Sequence, residues 1–232
     1  KEIHFPHSIG LLYSAFTYYI GFEVNSGEYK VMGLAPYGEP RYLKTIKNHI
    51  ASFDDNGVIE LNTDYFDFMT GSSMINEKFC DLFKAPIIDQ DDGLGQREMD
   101  IASSIQIFFQ EAVQNIVKYA VKITECRNLV MAGGVALNCV VNGELLKNRL
   151  VENLWIQPAA GDAGGALGGA FLANYHHYNL KRNHIHNQDS QKASLLGDIF
   201  TEIEIEEILI NYDFKYYKYI DDELFELISD LL

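Results

Sequence analysis

The chain has 232 residues, 47% of them hydrophobic and 22% charged, so it can bury a substantial core as one large domain or two small ones. Its formal net charge of −15 argues against a nucleic-acid partner, because that binding needs Lys and Arg to neutralise phosphates. Three cysteines without CxxC spacing, no membrane-length apolar run and no signal region favour a cytoplasmic protein that does not bind a membrane.

Apolar periodicity and turn residues predict the first elements of the chain. Residues 9–22 are typical of a buried helix, 28–38 of a short helix or turn, and 40–50 of another helix. An Asp-Asn-Gly turn before an alternating apolar run predicts a hairpin within residues 53–62. Residues 63–96 are irregular and predict loops with short helices, whereas 97–124 predict the longest helix.

The next segment repeats one local plan twice. A short buried strand, residues 128–132, is followed by Gly133-Gly134 and a helix through Leu146. A second strand, residues 154–158, is followed by Gly161-Asp162 and a helix over 163–178. Strand, glycine turn and helix in repetition predict an α/β fold with a parallel or mixed sheet.

The last fifty residues differ in composition from the rest. Residues 179–200 are read as a linker or exposed loop, and 201–232 as the truncated start of a following region. That region is predicted to hold a Thr-capped helix over 201–211, a strand over 214–220, and an Asp-capped helix from 221 onward. Because the chain starts with Lys and stops within an apolar-periodic helix, we expect a piece of a longer protein.

The first glycine turn has the features of a phosphate or ribose site. Gly133 and Gly134 remove the Cβ atoms that would keep a ligand away from the backbone, and a helix N-terminus follows. Asn138, about one turn into that helix, offers an amide to a sugar or a base. A double glycine also serves close packing between a strand and a helix, and that alternative stays open.

The second glycine turn contains one charged residue, Asp162. Directly before a helix, an aspartate acts as an N-cap, and at a nucleotide cleft it acts as a metal ligand or a Mg–phosphate contact. In the segment 27–38, Lys30 is a candidate for a phosphate and Glu28 for a ribose hydroxyl, with a surface ion pair as the alternative. The histidines at 4, 7, 176, 177, 184 and 186 lack acidic or Cys partners at ligand spacing and are read as loop residues.

Four motifs in one order resemble the NodU/CmcH carbamoyltransferase family. They are residues 8–17 (SIGLLYSAFT), 26–38 (SGEYKVMGLAPYG), 132–139 (AGGVALNC) and 157–165 (QPAAGDAGG). The resemblance covers about residues 1–178 and implies an ATPase domain of the actin, hsp70 and acetate-kinase type, mainly its second half.

The resemblance implies a reaction as well as a fold. Such enzymes consume carbamoyl phosphate and ATP, form carbamoyl-adenylate, and carbamoylate a hydroxyl of a sugar, Nod factor or antibiotic. By analogy, Glu28, Lys30, Gly38, Gly133, Gly134, Asn138 and Gly161 would contact the adenylate. Asp162 would bind a divalent metal, with iron and magnesium as candidates, and a homodimer is compatible with the family.

Two expected family features are absent from the sequence, namely an HxxxH metal motif before Lys1 and a carbamoyl domain after Leu232. We therefore expect the 232 residues alone to be inactive. A Rossmann-type enzyme ranks low because no GxGxxG opens the first strand–helix unit with an acidic residue about 20 positions later. A non-catalytic nucleotide-binding module and a sugar kinase on the same fold remain as alternatives.

Overall fold

A computed structural model describes residues 1–89, 93–182, 189, 191 and 194–232. The chain divides into two compact units, Lys1–Arg182 and Asn183–Leu232. Helices and short sheets alternate in the first unit, which confirms the predicted mixed α/β class. Among the described residues, no helix combines the length and the apolar character needed to cross a membrane.

The first part of unit 1 is mainly helical. Its elements are α1 (Ile9–Tyr19), α2 (Glu28–Leu34) with a 3-10 turn (Ala35–Tyr37), α3 (Leu43–Thr45) continuing as a π turn (Ile46–Ile50), β1 (Ala51–Phe53), β2 (Ile59–Leu61), a 3-10 turn (Thr63–Tyr65), α4 (Glu77–Phe83) and α5 (Gln96–Thr124). The second part contains β3 (Asn128–Met131), a 3-10 turn (Gly134–Leu137), α6 (Cys139–Lys147), β4 (Asn153–Ile156), α7 (Gly164–Leu172) and a π turn (Ala173–His177).

Helix α5 is the centre of the core. Ile101, Ile105, Phe108 and Ala112 recur at helical spacing and are fully buried. Helix α1 packs against this stripe, and the ring of Tyr13 meets Phe109 edge-on with 5.0 Å between centroids. The predicted helix over 97–124 is therefore confirmed within one residue at its start.

A cluster of aromatic rings joins α1 to α4. Phe16 lies 5.1 Å from Phe79 and 5.7 Å from Phe83, and Tyr19 contacts both of the same rings. Burying such rings supplies much of the apolar area that stabilises a domain of this size. The segment 63–96, predicted to hold short helices, thus contributes α4 to the core.

The predicted hairpin is confirmed as the antiparallel pair β1–β2. The carboxylate of Asp54 accepts hydrogen bonds from the backbone N–H groups of Asn56 and Val58 at 2.9 and 2.7 Å. Gly57 has a φ of +67°, a left-handed conformation that favours glycine. The turn chemistry in the sequence therefore determined the loop.

A loop after α2 is clamped to the start of α5. A Cβ on Gly38 would lie 1.9 Å from the carbonyl oxygen of Met99, so only glycine fits there. The backbone N–H of Glu39 then donates to Asp100 at 2.8 Å, and that of Tyr42 donates to Ser104 at 2.9 Å. Gly38 therefore packs directly against the backbone of α5.

Strands β3 and β4 pair in parallel, with Asn128 opposite Asn153 and Met131 opposite Ile156. The two predicted strand–turn–helix units are present, but the first helix begins at Cys139 and follows a 3-10 turn. Asn138 is therefore the N-cap of α6, and its predicted position one turn inside the helix is wrong. The cause is the extended backbone of Asn138, with a φ of −74° and a ψ of 91°, which ends the 3-10 turn before α6 begins.

The prediction that the first of these strands is buried is also wrong for one face, and β4 has the same exposed face. Val130 and Trp155, neighbours in register, are 72% and 55% exposed, whereas Leu129, Met131 and Leu154 pack against the core. Within the described chain, the β3–β4 sheet is thus covered on one face only, because successive side chains of a strand point to opposite faces.

Unit 2 contains α8 (Glu202–Asn211) and α9 (Asp221–Leu231). Thr201 caps α8 through a hydrogen bond to the N–H of Glu204, as predicted. Residues 214–220, predicted as a strand, have no regular structure, since the described part of this unit offers no strand for a hydrogen-bond ladder. The N-cap of α9 is Ile220, so Asp221 lies in its first turn and does not cap it.

Candidate functional site

A cleft of about 560 Å³ lies within unit 1, between α1, the start of α2 and the two glycine turns. Four stretches that are distant in sequence line it together with Phe109 of α5, and these stretches lie in the motif regions, apart from Asn25 directly before the second motif. The lining residues are Ser8, Gly10, Leu11, Tyr13, Ser14, Asn25, Ser26, Glu28, Tyr29, Met32, Phe109, Gly134, Val135, Leu137, Asn138, Gly161 and Asp162.

Glu28 stands at the first position of α2, directly after the buried turn at Gly27. Its Oε1 atom accepts hydrogen bonds from the Ser14 hydroxyl at 2.6 Å and from the backbone N–H of Asn25 at 3.0 Å. These bonds orient the carboxylate, and neither involves its Oε2 atom. A ligand hydroxyl can donate to a carboxylate oxygen held in this way.

Two of the predicted contact residues on the same segment do not line the cleft. The side chain of Lys30 is exposed, and its ammonium lies 5.5 Å from the centroid of the Phe22 ring. Gly38 packs against α5, as described above. The alternative, an ion pair between Glu28 and Lys30, is not observed either, because Glu28 bonds to Ser14 and Asn25 and Lys30 lies beside Phe22.

The two glycine turns are joined through the backbone. The N–H of Gly133 donates to the carbonyl of Ala160 at 2.7 Å, so Gly133 holds the turns together behind the lining. A Cβ on Gly134 would meet no other atom within 4 Å, which leaves the backbone there open to the cleft. Gly161 lies opposite, where a Cβ would meet only the Leu137 side chain at 3.7 Å.

Asn138 is held from both ends by the protein. Its Oδ1 atom accepts a hydrogen bond from the backbone N–H of Val141 at 3.2 Å, and this bond caps α6. The same oxygen accepts a second hydrogen bond, from the Nε2 group of Gln106 at 3.2 Å. Its Nδ2 group donates to Gln106 Oε1 at 3.1 Å, and the Tyr13 hydroxyl donates to the same oxygen at 2.8 Å. This network connects α1, α5 and α6 beneath the cleft.

The sequence reasoning missed Tyr13, Ser14 and Gln106. Burial, with a smaller contribution from Glu28, raises the pKa of Tyr13 well above its ordinary value, so its hydroxyl stays protonated and donates. Gln106 is one of several polar residues on α5, and no turn or glycine signal marks it. Its contact to Asn138 spans 32 residues and requires the fold to be known.

Asp162 lines the cleft with an exposed side chain. Helix α7 has Ala163 as its N-cap and no side-chain cap bond, so the predicted alternative of an Asp162 cap is not observed. Across residues 1–89, 93–182 and 194–232, no three His, Cys, Asp or Glu side chains come close enough to hold a metal ion. These residues could therefore supply at most part of a metal site.

None of the histidines that the structure describes lines this cleft. His7 accepts a hydrogen bond from the N–H of Leu61 at 3.1 Å, and His4 is exposed beside Glu2. His176 and His177 lie in the π turn that extends α7. His184 and His186 lie outside the described residues.

The charge of the lining is entirely negative. Glu28 and Asp162 are its two ionisable acids, and the lining contains no Lys or Arg. Hydroxyl, amide and backbone groups make up the remaining polar surface, beside an apolar wall that includes Leu11, Met32 and Val135. Such a surface suits a sugar hydroxyl and a flat apolar base better than it suits a bare phosphate.

Comparisons with known proteins agree with this arrangement of motifs. The chain is 48% identical to the uncharacterized protein sll1178 of Synechocystis sp. over 235 aligned residues, which cover 100% of the chain and 38% of that protein. It is 34% identical to nodulation protein NolNO of Sinorhizobium fredii, covering 72% of the chain and 23% of that protein. For nodulation protein NolO of Bradyrhizobium diazoefficiens the identity is 32%, covering 74% and 30%.

The chain therefore spans less than two fifths of the length of these relatives. A sequence model of one family, described as the N-terminus of carbamoyltransferases, matches residues 1–171 and so includes all four motifs and the whole cleft. By that match and by its identity to the relatives, the chain belongs to the carbamoyltransferase family.

Proposed function

We propose that the protein is an O-carbamoyltransferase and that this chain supplies its nucleotide-binding cleft. The enzyme would use carbamoyl phosphate and ATP, by way of carbamoyl-adenylate, to carbamoylate a hydroxyl of a sugar, Nod-factor-like or antibiotic-like acceptor. Family membership supports the reaction class, and two relatives named as nodulation proteins support an acceptor of the Nod-factor kind.

One observation carries the proposal for this cleft. Glu28, Gly134, Asn138, Gly161 and Asp162 come from three separate motifs, and all of them line the same space. In a chain whose motifs served only packing, there would be no reason for their open glycine and their polar groups to converge on a cavity. The volume of about 560 Å³ is in the range of small-molecule sites.

The contacts suggest how a nucleotide would lie. We assign Glu28 to the ribose, because its Oε2 atom remains available and its Oε1 atom is fixed by Ser14 and Asn25. Gly134 would let the ligand approach the backbone, where the N–H groups at the start of the turn have no protein acceptor among the described hydrogen bonds. Lys30, Gly38 and Gly133 are removed from the proposed contact set because none of them lines the cleft.

The chemistry balances without any group in the cleft acting as a nucleophile. Water releases carbamate and inorganic phosphate from carbamoyl phosphate, and the carbamate oxygen then attacks the α-phosphorus of ATP to give carbamoyl-adenylate and pyrophosphate. The acceptor hydroxyl next attacks the carbamoyl carbon, its proton is lost, and AMP leaves. A closed site protects the labile mixed anhydride from water.

The fold and the metal are parts of the same proposal. The parallel pair β3–β4 with glycine turns before helices is compatible with an ATPase domain of the actin, hsp70 and acetate-kinase type. Asp162 would contribute one carboxylate to a divalent metal, iron or magnesium, whose other ligands would come from outside the residues that line the cleft. We assign no reaction step to that metal. A cytoplasmic location and a homodimer belong to the proposal at the family level.

The test uses the protein expressed from its complete open reading frame, supplied with ATP, carbamoyl phosphate and magnesium. We expect pyrophosphate release that depends on carbamoyl phosphate, and a Glu28→Ala variant should raise the KM for ATP at least tenfold through loss of the ribose contact. A Glu60→Ala variant, altered at an exposed residue of β2, is the matched control.

Other outcomes point to the two alternative classes. ATP consumption that depends on a sugar, without carbamoyl phosphate, would mean a sugar kinase. Nucleotide binding without turnover would mean a non-catalytic module. Either result would contradict the proposed reaction. The 232 residues alone are expected to release no pyrophosphate.

A further inference from the structure

A network of buried side chains lies beneath the cleft. It supports an inference that follows neither from the sequence motifs nor from the family assignment. Gln106 is 4% exposed and is not among the residues that line the cleft, whereas Asn138 is 9% exposed and lines it. Any influence of Gln106 on a ligand must therefore pass through a neighbour. Both of its amide atoms bond to Asn138.

The orientation of the Asn138 amide follows from its partners. The backbone N–H of Val141 is a donor, so the atom that it meets at 3.2 Å must be the oxygen, Oδ1. Gln106 Nε2 donates to that same oxygen, which fills its two acceptor positions. Gln106 Oε1 is likewise filled, by the Tyr13 hydroxyl and by Asn138 Nδ2.

We infer that Gln106 is a positioning residue that makes Asn138 a pure hydrogen-bond donor toward the cleft. After the bonds described above, Asn138 retains one free N–H on Nδ2 and no free acceptor. The ligand group that lies against it must then present an acceptor, such as a sugar oxygen, a ring nitrogen of a base or a phosphate oxygen. This inference rests on the proposed nucleotide role of the cleft.

Tyr13 strengthens the same constraint. Its hydroxyl donates its hydrogen to Gln106, so that amide cannot rotate alone to exchange its oxygen and its nitrogen without losing all three bonds. If Gln106 were free to rotate, Asn138 could also turn and present its oxygen, at the cost of the cap on α6. The network thus sets the hydrogen-bonding polarity at one point of the cleft through a side chain, Gln106, that does not itself line the cleft.

The chain provides a matched control for this role. Gln114 lies on α5 and also connects it to α6, through a hydrogen bond from Nε2 to Glu144 at 3.0 Å. It does not contact Asn138 and does not line the cleft. Replacing Gln106 or Gln114 with Met removes the same amide from the same helix pair, and only the first change should affect Asn138.

The experiment is hydrogen exchange with mass spectrometry on the protein from its complete open reading frame, without ligand and during titration with ATP. Without ligand, Gln106→Met should speed exchange at Val141 several-fold, because the Asn138 cap is released, and Gln114→Met should not. With ATP, protection of the turn at 133–138 gives the affinity of this cleft. Gln106→Met should weaken that affinity about tenfold.

A double-variant comparison separates positioning from a general structural effect. If Gln106 acts through Asn138, the Gln106→Met, Asn138→Ala double variant binds ATP within about twofold of Asn138→Ala alone. Multiplied losses, or unchanged Val141 exchange in Gln106→Met, would overturn the inference. If ATP fails to protect the turn in the unaltered protein, the proposed function of the cleft fails, and the ligand-free comparison still decides the role of Gln106.

Discussion

At the scale of single residues, Asp162 shows how position in the chain and position in the fold give different answers. An aspartate just before a helix predicts a cap, yet α7 begins beyond it and has no side-chain cap bond. Its carboxylate instead lies exposed at the cleft. Helix capping therefore does not account for Asp162, and its role in metal binding stays a proposal.

This difference predicts separate effects on stability and on metal binding. Asp162→Ala should change the free energy of unfolding of the 232-residue chain by less than about 0.5 kcal/mol in urea, because it removes no cap. Asn76→Ala, which removes a cap bond to the N–H of Phe79, should cost about 1 kcal/mol.

The same Asp162→Ala change, made in the protein from its complete open reading frame, should lower the bound metal content measured by elemental analysis. Equal metal content in the altered and unaltered proteins would remove Asp162 from the proposed ligand set. A loss of stability as large as that of Asn76→Ala would return it to the role of a cap.

At the scale of elements, the start of α5 is held by a buried carboxylate. Burial alone would raise the pKa of Asp100, but the N–H of Glu39, the amide of Gln96 and the charge of Arg41 outweigh it and lower that pKa. Because the pKa is lower in the folded state, the stabilisation is present above the ordinary aspartate value of about 3.9 and is lost as the pH falls below it.

We therefore expect Asp100→Asn to cost about 2 kcal/mol of unfolding free energy at pH 7, the scale of hydrogen bonds to a charged group. Arg41 is 63% exposed, so its ion pair adds little. In urea titrations, the difference from the unaltered chain should stay constant between about pH 8 and 5 and shrink below about pH 3.9. Asp55→Asn, at an exposed residue of the hairpin, is the control. A cost that does not depend on pH would contradict the account.

The sequence predicted elements whose signals are local. The period of α5, the Asp-Asn-Gly hairpin and the two strand–glycine–helix units follow from residues close together in the chain. The start of α6 was misplaced because Asn138 has an extended backbone and caps the helix, and its side chain is held by Gln106, 32 residues earlier in the chain. The Tyr13–Gln106–Asn138 network was missed for the same reason, since its bonds span 93 and 32 residues.

The strand predicted over 214–220 is wrong for a different reason: a local preference was present, but the fold does not realise it. Its aromatic residues have high strand propensity, but propensity alone does not supply a partner strand. Residues such as Tyr217 and Phe214 are instead 84% and 60% exposed in a unit where neither helix has a buried residue. Local preference was outweighed there by the absence of a partner in the described part of that unit.

At the scale of the whole molecule, charge limits what the cleft can hold. A net charge of −15 and a lining with two acids and no Lys or Arg disfavour a ligand that presents only anionic groups. In the proposed complex, the nucleoside part of the nucleotide would therefore lie between Glu28 and the apolar wall. The phosphates would lie toward the glycine turns, where backbone N–H groups and a cation from outside the lining can balance their charge.

The most direct test of this account is a crystal structure of the protein from its complete open reading frame with a non-hydrolysable ATP analogue. We expect electron density for the nucleotide in the cleft, with a ribose hydroxyl within hydrogen-bond distance of Glu28 and the backbone of Gly134 beside the ligand. A fully occupied nucleotide elsewhere, with the cleft holding only water, would contradict the assignment of these motifs to nucleotide binding.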